Sequence, residues 1–203
     1  LALRGSAAPA VAVLALAENM VGADSYRPGD VIRTFDGTTV EVVDTDAEGR
    51  LILADALGWT VANLQPQAIV DLATLTGSVI TALGHAMAGL FSNDDVLAAH
   101  VAAAGAAIGE RAWRLPIGEA LPDALRSDIA DVRQCSTERQ QPDATYAAAF
   151  LGRFVGDTPW VHLDIAGVES REAACDRHAR GATGFGVRLL DRLMAQRFED
   201  PHR

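Results

Sequence analysis

Lysine is absent from this 203-residue chain: all 17 basic residues are arginine. A phosphate loop closing on Lys-Ser/Thr is thereby excluded, and "GATGFG" at 181–186 reads instead as a close-packed turn into the last helix. Cysteine is scarce. Cys135 and Cys175 lie forty residues apart, outside any CxxC or Cys/His spacing. That argues against a disulfide framework or a zinc finger, and a reducing compartment is the simplest reading. Positive charge is also in short supply, with 27 acids against 17 bases, a net charge of −10 and no basic run longer than two residues. Such a chain offers no general nucleic-acid surface. No apolar run reaches the length of a membrane span. No G-x-S-x-G serine elbow is present, and His85, His100, His162, His178 and His202 form no HExxH or other ligand pair. Structural or surface roles are expected for them, with His162 in the core or behind a site, touching its residues rather than a ligand. The opening residues lack an initiator Met and the layout of a signal peptide, and "LALRG" reads as the last turn of a helix.

Hydrophobic residues make up 49% of the chain, and glycine is spread rather than concentrated, so a single folded domain is expected. "AVAVLAL" (10–16) suits a buried strand, a pattern that a buried helix shares. "FDG" followed by "TTVEVVD" reads as a hairpin entering a β-branched strand. Helical spacing runs from Glu48 to about Leu64, and strands are expected at 68–75, 87–93 and 160–167. Helices are expected at 94–113, 144–156 and 184–198, and a mobile loop at 136–141. Strands alternating with helices predict an α/β architecture, with helices on both faces of the sheet.

One stretch stands out. "VDTDAEGRLILADAL" places Asp44, Asp46, Glu48 and Arg50 within seven residues at a strand-to-helix junction. Thr45 and Glu48 fit a capping box, with Asp46 adding helix-dipole stabilisation. Alternatively, two carboxylates at i and i+2 converge on a hard divalent cation, and an Arg at i+4 faces the same cleft to clamp an anion. Spacing alone does not choose between them.

"DTDAEGRLILADAL" resembles the signature of the leucyl aminopeptidase family of dinuclear-metal exopeptidases, whose usual form reads NTDAEGRL. "ENMVGADSYRPGDV", "DLATLTGSVITALG", "GLFSND", "GERAWRLPI", "SDIAD", "AAAFLGRFV", "WVHLDIAG" and "GATGFGVRLL" follow the family's order across nearly the whole chain. The resemblance implies a three-layer α/β/α catalytic domain with a mixed central sheet. It also implies a cytoplasmic homohexamer acting on peptide substrates. Asp46 and Glu48 would ligate two divalent ions (zinc, manganese or magnesium), and Arg50 would be catalytic, holding a bicarbonate that serves as general base. Thr74, Leu75 and Gly77 would line the substrate cleft and Ala166 the pocket for the first side chain. A carboxylate at Glu169, near the pocket rim, would favour a basic or polar first residue. The other class of function compatible with the fold is a non-catalytic oligomeric scaffold.

The chain departs from the family pattern at three places. Asp44 stands where the family has Asn. "RQQPDATY" (139–146) replaces a glycine-rich stretch. The remaining metal ligands, a Lys and two Asp, and the catalytic Lys have no counterpart, so residues 1–203 read as the C-terminal part of a catalytic domain. From this it is expected that the chain alone holds a single-ion or incomplete site, does not hydrolyse peptides, and exposes an apolar face near 10–16.

Overall fold

The computed structural model describes residues 1–118, 122–138 and 141–199. His202, and residues 139–140 of the expected loop at 136–141, lie outside the described residues. The chain divides into two compact units: Leu1–Ala12, Val70–Leu115 and Trp160–Arg203 form the first, and Val13–Ile69 with Pro116–Pro159 the second. Both carry mixed sheets with helices, as an α/β fold requires.

In the first unit, a four-stranded sheet runs in the order β3 (Ile69–Ala73), β7 (Trp160–Asp164), β4 (Ala88–Ser92), β5 (Ala112–Arg114). β4 pairs parallel with β5 and antiparallel with β7, in the register Phe91 to His162. β4 and β7 are buried along their whole length, and their polar residues, Ser92, His162 and Asp164, each find a hydrogen-bonding partner within the fold. Helix α3 (Asp95–Ile108) packs on this sheet and on α5 (Val187–Leu193). Asp94 caps α3, its side chain accepting from the Leu97 N–H at 2.6 Å.

The helix expected to run to residue 113 ends at Ile108. Gly109 takes φ +78° and the Glu110 N–H returns to the Gly105 carbonyl at 2.9 Å, a glycine-closed C-terminus that periodicity does not register. β5 then begins at Ala112. At the chain's end, α5 starts at Val187 rather than 184 and passes into a π-helical turn, Met194–Phe198. The turn before it is close-packed as expected: Gly186 has φ +97°, and a Cβ there would collide with the Leu72 side chain.

The second unit contains the expected hairpin, β1 (Val31–Arg33) antiparallel to β2 (Thr39–Glu41), with β6 (Val132–Arg133) parallel to β2. Helix α1 spans Glu48–Leu64, as its periodicity predicted, and packs on α4 (Asp143–Gly152), which ends four residues before the expected 156.

The strand expected at 10–16 is not formed. Residues 6–30 carry no helix or strand, and Val11, Leu14 and Leu16 are 71%, 78% and 84% exposed. An apolar run reports composition, whereas a strand needs a partner ladder, and among the described residues none pairs with it. The exposed apolar side chains expected near 10–16 are present. "LALRG" forms a 3₁₀ turn, Ala2–Arg4, closed by Gly5 at φ +69°.

Candidate active site

The acidic stretch lies in the second unit. It is not a capping box: the residue before α1 is Ala47, and no side chain caps the helix. The turn is built instead by Asp44, whose Oδ1 accepts from the Asp46 N–H at 3.0 Å while its carbonyl accepts from the Ala47 N–H at 3.2 Å. An Asn in this place would present the same oxygen, so the exchange of the family's Asn for Asp leaves the turn geometry available.

A second residue fixes the segment from behind. Gln134, fully buried just after β6, accepts the Val43 and Asp44 N–H groups on its side-chain oxygen at 2.6 and 3.3 Å. It also donates to the Ala47 carbonyl at 3.2 Å. Five residues of irregular backbone are thus pinned by one amide. Sequence reasoning missed Gln134 because it lies in the least patterned part of the chain.

The carboxylates gather around Tyr26. Its hydroxyl donates to the Thr45 carbonyl at 3.0 Å. Its pKa is pushed up, first by burial and then by the negative charges of Glu48, Asp44 and Asp46. Asp46 is exposed, and Glu48 is half-buried, accepting from the Asn19 amide at 3.3 Å. A cavity of about 330 Å³ opens here, lined by Glu48, Tyr26 and Asn19 among others. These oxygens are the donor type that hard divalent cations take. Among the described residues, however, no group of three or more His, Cys, Asp or Glu is placed to hold a metal ion.

Arg50 is turned inward and 3% exposed. Its Nη1 donates to the Gln134 carbonyl at 2.9 Å, and its Nη2 lies 3.0 Å from both carboxylate oxygens of Asp143, the first residue of α4. Nε is enclosed without a hydrogen-bond partner. Cys135 is buried close by, and burial raises its thiol pKa despite the nearby Arg50 charge.

The residues expected to contact substrate lie in the first unit. Thr74 and Gly77 are exposed, Leu75 and Ala166 half-buried. One buried carboxylate joins their two segments. Asp164 Oδ1 accepts from the Leu75 and Ala166 N–H groups, each at 3.2 Å, and Oδ2 accepts from the Thr76 hydroxyl at 2.6 Å. Beside it, His162 is fully buried, as expected of a core residue, with Nδ1 2.6 Å from Asp71. Glu169 is half-buried and accepts from the Ser170 hydroxyl at 3.2 Å.

Residues 2–191 match the model of the cytosol aminopeptidase family, catalytic domain. The chain belongs to that family. It is 51% identical over 191 residues to a probable cytosol aminopeptidase of Gluconobacter oxydans, covering 94% of this chain and 39% of the relative. It is 48% identical to one of Methylorubrum populi, covering 98% of this chain and 40% of the relative. Among solved structures, a mutant of tomato leucine aminopeptidase superposes with a TM-score of 0.78 at 40% identity, over 87% of this chain and 34% of that one. The chain therefore spans about two-fifths of the length of the curated relatives it matches.

Proposed function

We propose that the protein carrying this chain is a metal-dependent aminopeptidase that releases N-terminal residues, leucine-type among them, from peptides. The observation that supports this reading is the family match over residues 2–191, which includes the sequence of Asp46, Glu48 and Arg50. Residues 1–203 form the C-terminal part of its catalytic domain. Asp46 and Glu48 supply two oxygen ligands to divalent ions (zinc, manganese or magnesium), and the remaining ligands come from elsewhere in the protein. When bound, such a pair of ions lowers the pKa of a water, polarises the scissile carbonyl and takes the substrate's free amine.

The chain's own residues do the positioning. Gln134 and Asp44 fix the ligand turn, Tyr26 holds its carbonyl side, and Asp164 sets the backbone of Leu75 and Ala166, which with Thr74 and Gly77 contact the substrate. Glu169 favours a basic or polar first residue. Arg50 brings a fixed positive charge next to the metal-ligand turn. A free bicarbonate on Arg50 does not fit the residues as placed: the side chain is 3% exposed, its Nη2 is held by Asp143, one Nη1 N–H by the Gln134 carbonyl, and Nε is enclosed. Assembly as a cytoplasmic homohexamer belongs to the same reading, and light scattering checks the stoichiometry.

The test is release of leucine from a Leu-anilide by the protein after metal depletion and after return of manganese or zinc. Metal-dependent turnover is expected, and none from the 203-residue chain alone. No turnover under any metal would leave the scaffold reading in its place, and turnover by the purified chain alone would overturn the divided ligand set.

A further inference from the structure

We infer that Asp143 is the anion of this site: its carboxylate occupies the position on Arg50 that a free bicarbonate would take, and supplies the general base from within the chain. The inference rests on the aminopeptidase reading above. A guanidinium that is 3% exposed requires a counter-charge, because an unpaired buried cation is costly. The partner seated on it is a carboxylate, chemically the same head group as bicarbonate, with both oxygens 3.0 Å from Nη2. The Gln134 carbonyl takes one N–H of Nη1 and Nε is enclosed in a side chain only 3% exposed, so the Nη2 edge that would meet an anion from solution is the one Asp143 already holds.

The placement of Asp143 has a local cause. It is the first residue of α4, where a carboxylate also opposes the helix macrodipole, and α4 packs against α1, which carries Arg50. It lies within "RQQPDATY", the stretch that departs from the glycine-rich pattern usual in the family. Its side chain is 39% exposed, so the pair is anchored on the arginine side and open on the other. That is the arrangement a base needs: one edge held, one edge able to reach water.

The step balances without a co-reactant. Asp143 takes a proton from water as the water oxygen bonds to the carbonyl carbon and the C=O π pair moves onto the carbonyl oxygen. As that pair returns, the C–N bond breaks and Asp143 delivers the proton to the departing amine. Arg50 holds the carboxylate in register throughout.

The test uses the metal-reconstituted protein in carbon dioxide-free buffer, with and without sodium bicarbonate. Leu-anilide turnover is the first readout and binding of isotope-labelled bicarbonate, followed by carbon NMR, the second. Wild type is expected to turn over equally in both buffers and to bind no bicarbonate. Asp143→Gly empties the position. It should lose about 100-fold in kcat, the low end of what a general base contributes, recover with bicarbonate, and bind the labelled ion. Asp143→Asn keeps the volume without the basicity, so it should be equally slow and gain nothing from bicarbonate, which keeps the test valid if the glycine variant does not fold. A wild type that binds or needs bicarbonate overturns the inference. So does either variant turning over at the wild-type rate without bicarbonate, or a folded Asp143→Gly protein that binds none. If no form cleaves the anilide under any metal, the aminopeptidase reading fails, and the NMR comparison still decides who occupies Arg50.

Discussion

Asp164 and Asp46 are both aspartates on a segment leaving or entering regular structure, one in each unit, and they are used in opposite ways. Asp164 is fully buried, and its two oxygens accept two backbone N–H groups and a hydroxyl. Asp46 is exposed, and its carboxylate accepts no hydrogen bond from a described residue. A carboxylate whose lone pairs are taken by its own chain is building backbone. One whose lone pairs are left over, on a turn that Gln134 and Asp44 hold rigid, is available to a ligand. The difference separates an acid that shapes the backbone from one whose oxygens remain free of the described residues.

The contrast is broken most decisively at Asp164. Asp164→Ala strands two N–H groups and a hydroxyl in the interior, each costing about 1–3 kcal/mol. Urea unfolding should show a loss of at least about 3 kcal/mol, and a loss under about 1 kcal/mol would mean that Asp164 holds nothing. Next is Arg50→Ala, expected to lower kcat on the order of 100-fold with metal content unchanged. Near-normal turnover would remove its electrostatic role.

A smaller effect sharpens the comparison through pH. Glu41 accepts from the Ser127 hydroxyl at 2.5 Å and from Arg133 Nε at 2.9 Å, and these, Ser127 first, hold its carboxyl below its ordinary value of 4.5. Stabilisation from a depressed carboxyl is fully present above the unfolded value and lost as pH falls through the folded one. Glu41→Gln should therefore cost about 1 kcal/mol near neutrality, and the gap from wild type should close on acidification below 4.5. A gap that persists in acid would show that packing, not charge, is the cause. Smallest of all is Asp46→Ala. Its stability should stay within about 0.5 kcal/mol of wild type, as for a surface change. Glu48→Ala, by contrast, should cost the metal-loaded protein one bound ion, read by elemental analysis.

The parts of this molecule legible in its sequence are those governed by local pattern. α1, the β1–β2 hairpin and the strands around residues 69–73, 88–92 and 160–164 follow from periodicity and turn chemistry. The glycine stop of α3 and the failed strand at 10–16 do not, because each depends on what the backbone meets in space. The same division holds at the site. Asp46, Glu48 and Arg50 stand together in sequence, whereas Gln134 and Asp143 reach Arg50 across 84 and 93 residues, and no local signal marks them. Asp164 was in plain view within "WVHLDIAG", but only its burial reveals that it ties Leu75 to Ala166.

The strand order β3-β7-β4-β5 also sets a timetable. β7 lies between β3 and β4, yet it is the last of the four to leave the ribosome: its first residue, Trp160, follows Ser92 by 68 residues. At roughly 5–20 residues per second, β4 waits about 3–14 s with that edge open and Leu90 and Phe91 in its middle. Throughout that interval Leu90 and Phe91 have no strand to cover them on that side, and the nascent chain presents the kind of edge that other strands seize. A protein so ordered depends on protection during its synthesis more than its finished stability would suggest, and slowing translation between residues 92 and 160 should lower its soluble yield.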